Sequence, residues 1–318
     1  MEKAEFEAIR KHAVDACNSR TKISVIGCIL IAALIIPFIF IFSRTGFVPI
    51  TCLFAIILTL FFEVAFYALV NIFHPARTAL AQYKAAYKVY IVHRSLASIF
   101  TNLLYYPDSG IPRTIVQAVM TGGDRYRSND YITASYKGIR LTGADVHTER
   151  EHRSTDSHGH TTTTYTTIFK GKFFVFDFNR DFAERLQVIG KNFPGARLTY
   201  DRNNKNKYRK IETESVEFNK SFQVYGQSGQ ETFYILDPSF MEKLQAINVA
   251  YQGRVLFSFI DKKLIVAVHD NRDAFEPGDP RKFTDEQAEF ARINKDILSI
   301  LQFVDVLMLD RYVFKGKK

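Results

Sequence analysis

Half of the eight histidines fall within a fourteen-residue stretch, as His147, His152, His158 and His160, beside Glu149, Glu151 and Asp156. Imidazole with carboxylate is the donor set of zinc, nickel and copper sites. The spacing matches neither a zinc finger nor an H-E-x-x-H pair, and His158-Gly159-His160 runs into four threonines, which is hairpin-loop composition. A mobile loop must lose conformational entropy to gather ligands. The stretch reads as a solvated loop, with weak metal capture as the competing reading, and no metal ligand is assigned.

A second concentration is cationic. Lys191, Arg197, Arg202, Lys205, Lys207, Arg209 and Lys210 face a single acid, Asp201, in a chain with 42 Lys+Arg against 33 Asp+Glu. A basic surface beside an anionic leaflet gains about 1 kcal/mol per cation, which makes Lys205, Lys207, Arg209 and Lys210 the candidate contacts for anionic lipid headgroups. The stretch itself reads as a solvated inter-strand loop turning at Asn203-Asn204. Tyr200 and Tyr208 interleave the basic residues, but no recognition helix, zinc finger or RNP-type pattern accompanies them, and nucleic acid is not an expected partner.

Catalytic signatures are missing. There is no phosphate-binding G-x-x-x-x-G-K-[ST], no G-x-S-x-G elbow and no G-x-G-x-x-G after a strand. Gly226-Gln227-Ser228-Gly229-Gln230 has turn composition between two expected strands. Cys17, Cys28 and Cys52 all precede residue 53, so the rest of the chain has no thiol nucleophile and no disulfide, as a reducing compartment would leave it. No catalytic or cofactor-binding residue is assigned.

The elements that would position these groups begin with two apolar runs. Ile23–Phe42 carries no charge for twenty residues, about 30 Å as helix. It ends in Phe40-Ile41-Phe42 rather than a small-residue cleavage site, which argues against a signal peptide. Residues 47–73 follow, interrupted by Glu63 alone. The expected spans are 23–42 and about 47–70, antiparallel because only Ser43-Arg44-Thr45-Gly46 joins them. Lys3, Arg10, Lys11, Arg20 and Lys22 precede the hairpin and Arg77, Lys84 and Lys88 follow it, so both termini are expected in the cytoplasm. Glu63, near the inner boundary, reads as an interfacial carboxylate; an ion path needs an intramembrane partner, and neither run offers one.

Residues 1–22 are expected as a cytoplasmic helix with Phe6, Ile9, Ala13 and Ala16 on one face. It either pairs with a juxtamembrane helix at 74–106 as a stalk or lies on the membrane. The period then changes. Strands are expected at Tyr131–Tyr136 and Ile139–Val146 about Lys137-Gly138, then at Phe173–Phe178, Arg185–Ile189, Val216–Val224 and Phe233–Leu236. Val255–Phe259 and Leu264–Val268 are expected to flank a turn at Asp261-Lys262-Lys263. Asp237-Pro238 starts a helix, and Thr284 with Gln287 reads as the capping box of the last one. Residues 107–318 are thus expected as an antiparallel α+β cytoplasmic domain.

Asp130-Tyr131-Ile132, Phe169-Lys170-Gly171-Lys172-Phe173-Phe174, Val216 to Phe222, Tyr234 to Met241 and Phe275-Glu276-Pro277 together resemble a bacterial two-transmembrane family of unknown function, the domain of unknown function numbered 3137. The resemblance covers roughly Leu80–Pro277. It implies an inner-membrane protein and supplies no activity, substrate or catalytic residue. The expected function is an integral inner-membrane protein presenting an interaction or scaffold domain to a protein partner or to anionic lipid. The alternative is a membrane-bound enzyme acting on a lipid or envelope metabolite.

Overall fold

The charged segment and the apolar run after it form one helix, because neither glycine nor proline separates them. In the computed structural model, which describes residues 1–43, 48–157, 159–194, 209–227, 229–273 and 275–306, α1 (Lys3–Ser43) is continuous for 41 residues, about 60 Å. A second helix, α2 (Val48–Phe73), packs along it. Gly27 makes the close approach possible: a Cβ there would overlap the Phe66 ring. Both helices are long and apolar enough to cross a membrane.

After His74-Pro75 the chain continues as α3 (Ala76–Tyr87), which also packs on α1. Phe6, Ala13 and Cys17 are buried, and the Phe6 ring stacks on Tyr90 with centroids 4.9 Å apart. The chain returns to this unit late, at residues 276–289. Phe283 lies 5.6 Å from the Phe6 ring, and Glu276 accepts from Lys84 at 2.6 Å and pairs with Lys88 at 3.2 Å. Lys3 pairs with Glu286 at 3.1 Å. The first segment and the juxtamembrane helix therefore pair, as the stalk reading expects.

The expected juxtamembrane helix over 74–106 is shorter. A single π turn (Lys88–Val92) and α4 (His93–Ala97) follow α3, and residues 101–106 are a strand, β1 (Thr101–Tyr106). Its backbone groups are taken by an antiparallel neighbour, β2 (Arg125–Tyr136), and this pairing overrides the apolar periodicity. Among the described residues, the second compact unit begins at His93 and takes up the chain again at Phe290.

This second unit is an α+β domain built on one antiparallel sheet. β2 turns at Lys137 (φ +48°) and Gly138 (φ +80°), the left-handed pair that a two-residue hairpin requires, into β3 (Ile139–Thr155). β3 pairs with β4 (Thr161–Gly190), and β4 pairs with both β6 (Phe222–Gly226) and β7 (Val255–His269); β5 (Arg209–Ile211) closes the far edge on β6.

β7 doubles back. Fifteen extended residues span about 50 Å, yet His269 N donates to Arg254 O at 3.0 Å, so the two ends meet and Asp261 (φ +53°) lies at the reversal. β4 behaves likewise: its register breaks between Asp177 and Leu186, and Phe169 and Phe193 lie 5.6 Å apart although they flank most of the strand. The first half of β4 pairs with the second half of β7, and the second half of β4 with the first half of β7.

One face of the sheet packs Phe169, Phe173, Val175, Ile265 and Ala267 against Val116, Val119 and Met120, around the short α5 (Arg113–Gln117). The other face carries Ile132 and Phe174 and meets Ile297 of α9 (Glu286–Val306). The cap of α9 is Asp285, whose carboxylate accepts from Ala288 N at 2.7 Å, one residue after the expected Thr284.

Two expected strands are helical. Ser215 Oγ accepts from Phe218 N at 3.2 Å and starts α6 (Val216–Ser221), so only Phe222–Gly226 of that run enters the sheet. Residues 229–235 form α7 (Gly229–Ile235), so of the expected Gly226–Gln230 turn Gly226 ends β6, Gly229 and Gln230 begin a helix, and Ser228 lies outside the described residues. Asp237 caps α8 (Pro238–Ala250) as expected.

Candidate functional site

The expected histidine loop is mostly strand. His147 and His152 lie on β3, five residues or about 17 Å apart along it, and β3 stays paired with β4 as far as Thr155 opposite Thr161. His160 is exposed beside Asp156, with Nδ1 at 3.2 Å from the carboxylate, and His158 lies outside the described residues. His147 contacts Thr167 (3.1 Å) and Glu149 (3.7 Å), and burial holds its imidazole below the ordinary range. Strand pairing spaces these histidines out instead of gathering them.

Of the basic residues expected to meet lipid, Lys205 and Lys207 lie outside the described residues. Arg209 and Lys210 sit exposed on the edge strand β5, and Lys210 pairs with Glu212. Glu63 is half-buried on α2.

The grouping that sequence reasoning missed is buried against the face covered by α9. Asp130 from β2, Asp145 from β3 and Asp273 from the loop after β7 each bring a carboxylate oxygen within 4.8 Å of the others. Each is placed by backbone geometry. Asp145 stands directly opposite Lys172 of β4 and opposite Asn129 of β2. Asp130 sits in the bulge that follows Asn129, at φ +58°, where its backbone N donates to Pro107 O at 2.9 Å. Tyr105 of β1 donates its hydroxyl to Asp130 Oδ1, and Asn129 Nδ2 donates to Oδ2 at 2.6 Å. Lys172, itself buried, bridges to Asp270. Phe275 closes over Tyr105, with ring centroids 6.1 Å apart.

The electrostatics follow from that packing. Burial first, and then the neighbouring Asp273 carboxylate, hold the Asp145 carboxyl well above its ordinary range; Lys172 opposes the shift without reversing it. The Asp145 carboxyl is therefore held toward its protonated form. One oxygen of Asp273 is buried without a hydrogen-bond partner. Burial, reinforced by the charge of Asp130, pushes the Tyr105 hydroxyl far up, which keeps it a donor at any physiological pH.

Asp130, Asp145 and Asp273 are the described residues whose oxygens are close enough together to hold a cation. The space beside Asp130 and Asp145, bounded by Ile132, Phe174, Phe275 and Ile297, is about 10 Å³. That admits a particle the size of one water and no organic substrate. One sequence signal pointed here: Asp145 interrupts the small and apolar residues (Leu141, Gly143) on the inward alternation of its strand. Only the fold shows that Asp130 and Asp273 meet it.

Fold and site together define a two-helix apolar hairpin attached to an antiparallel α+β domain with a buried ionisable cluster. Residues 167–309 match the family model described as "Protein of unknown function (DUF3137)". Of the residues that carried the resemblance, those from Phe169 to Pro277 fall inside that match and Asp130-Tyr131-Ile132 falls before it. No curated protein matches the chain. Among solved structures, the "crystal structure of the mycobacterial trehalose monomycolate transport factor A, TtfA" aligns with 9% identity and a TM-score of 0.35, covering 70% of this chain and 93% of that one.

Proposed function

We propose that the chain is an integral inner-membrane protein whose helical hairpin anchors an α+β domain that serves as a cytoplasmic interaction scaffold. The observation that carries the reading is the surface of the hairpin. Ile26, Ile29 and Leu30 of α1, with Ile56, Leu60, Phe61 and Val64 of α2, are exposed large apolar residues on helices of spanning length. A soluble protein would bury such a surface, and a bilayer covers it. The cations before α1's apolar half and after α2 favour the cytoplasm for both flanks. Arg209, exposed at the sheet edge, offers a cation to anionic headgroups, while Lys210 beside it is paired with Glu212.

The test is alkaline carbonate extraction of native membranes combined with protease treatment of right-side-out and inverted vesicles. Retention in the pellet, with the domain cut only in inverted vesicles, is the expected result. Release into the supernatant overturns the anchor, and cleavage from the outside overturns the orientation. Purification in mild detergent, with co-purifying proteins and lipids identified by mass spectrometry, tests the scaffold role; a stoichiometric protein partner is expected.

A further inference from the structure

A second cavity opens at the end of the sheet where the two halves of β7 meet. We propose that it is a binding site for a phosphate-bearing anion of headgroup size. Its volume is about 360 Å³, toward the small end of ligand pockets. Its charged lining consists of four cations, Lys172, Arg254, Arg272 and Lys295, against one carboxylate, Asp270. That carboxylate is already engaged: it holds Lys172 and accepts from the backbone N of Arg272 at 3.1 Å. An excess of cations on a concave wall raises the local concentration of anions. The lining holds two guanidiniums, Arg254 and Arg272, a group whose paired N–H donors match phosphate oxygens.

The walls are fixed by the fold. Arg254 follows Gln252 (φ +55°) and Gly253 (φ +75°), a left-handed turn clamped by Asn192, whose N donates to Gly253 O at 3.1 Å and whose Nδ2 donates to Gln252 O at 2.9 Å. The carbonyl of Arg254 accepts from His269 N, which ties the two ends of β7 together. His269 adds a neutral donor. Its Nδ1 accepts from Lys170 N at 3.2 Å, so the proton resides on Nε2, and burial together with Arg254 keeps the ring below its ordinary range. Lys295 reaches the pocket from α9. The site uses none of the groups that carry the membrane reading, so the two proposals fail independently.

The chemistry is common to soluble phosphomonoesters and to lipid headgroups, and the experiment separates them. Full-length protein in neutral-detergent micelles is titrated at low salt with glycerol 3-phosphate in one arm and with dioctanoyl phosphatidic acid in the other, followed by calorimetry. Saturable binding in either arm, weakened at least about tenfold by Arg254→Gln and again by Arg272→Gln, is expected. The arm that responds names the source. Both arginines are exposed, and unchanged thermal unfolding of the variants without ligand checks that they fold; Lys295→Gln, on a different element, gives an independent reading. No saturable binding in either arm, or binding that all three variants leave unchanged, overturns the proposal.

Discussion

Replacing Asp145 by asparagine alters how the stability of the α+β domain depends on pH. Burial and the adjoining Asp273 carboxylate raise the Asp145 carboxyl above its ordinary range, so between its unfolded value near 3.8 and its higher folded value the folded state binds more protons than the unfolded one. The stability that this proton contributes is fully present below the unfolded value and is lost as pH rises through the folded one. One proton gives a slope of about 1.4 kcal/mol per pH unit inside that window. The carboxamide introduced by Asp145→Asn cannot ionise, keeps the size of the side chain, and offers its N–H to the unpartnered oxygen of Asp273. His147 and His269, both held below the ordinary range mainly by burial, contribute a slope of opposite sign below their ordinary value of 6.5. Because both proteins carry them, they cancel in the difference. The assay is thermal or urea unfolding of full-length protein and the Asp145→Asn variant in mild detergent, from pH 5 to pH 8. The variant gains on the parent as pH rises. Parallel curves across the whole range would refute the raised Asp145 carboxyl.

Three further outcomes follow from the packing. Phe6→Ala removes a fully buried ring from between Tyr90 and Phe283 and costs the helical unit about 3–5 kcal/mol, read as a lower unfolding temperature. Gly27→Ala drives a methyl group into the Phe66 ring and destabilises the hairpin by about 1–3 kcal/mol; Phe66→Ala in the same chain restores part of it, and a cycle without coupling would deny the contact. Burial alone would raise the Glu276 carboxyl, but Lys84 and Lys88 outweigh it and hold it below the ordinary range. Its stabilisation is therefore present above about pH 4.5 and lost as pH falls through the folded value, and Glu276→Gln removes that acid sensitivity in melts from pH 3 to pH 6.

Several elements are legible in the sequence because their signals are local. The two apolar runs are read from hydropathy alone. Lys137-Gly138 fixes a hairpin through the left-handed conformations its turn demands, and Asp237-Pro238 starts a helix by capping chemistry confined to four residues. The turn at Asp261–Lys263 and the strands flanking it are likewise recovered, although the element closes on itself only through the bond between His269 and Arg254. Local signals mislead where a partner decides. Thr101–Tyr106 continues a helical apolar pattern yet becomes an edge strand because β2 takes its backbone groups. Val216–Ser221 has strand composition yet coils because Ser215 caps it.

Hydropathy, alternation and turn chemistry act over a few residues, and so the linear chain already specifies a spanning-length apolar hairpin, an antiparallel α+β domain and no recognisable catalytic motif. Which charges meet is a matter for the folded molecule. Asp130, Asp145 and Asp273 come from two strands and a loop spread over more than a hundred residues, and Arg254 and Arg272 line one cavity only because β7 folds back. Spacing along the chain carries no record of such neighbours. A carboxylate or guanidinium takes its chemical character from the burial and charge around it, and those are properties of the folded sheet.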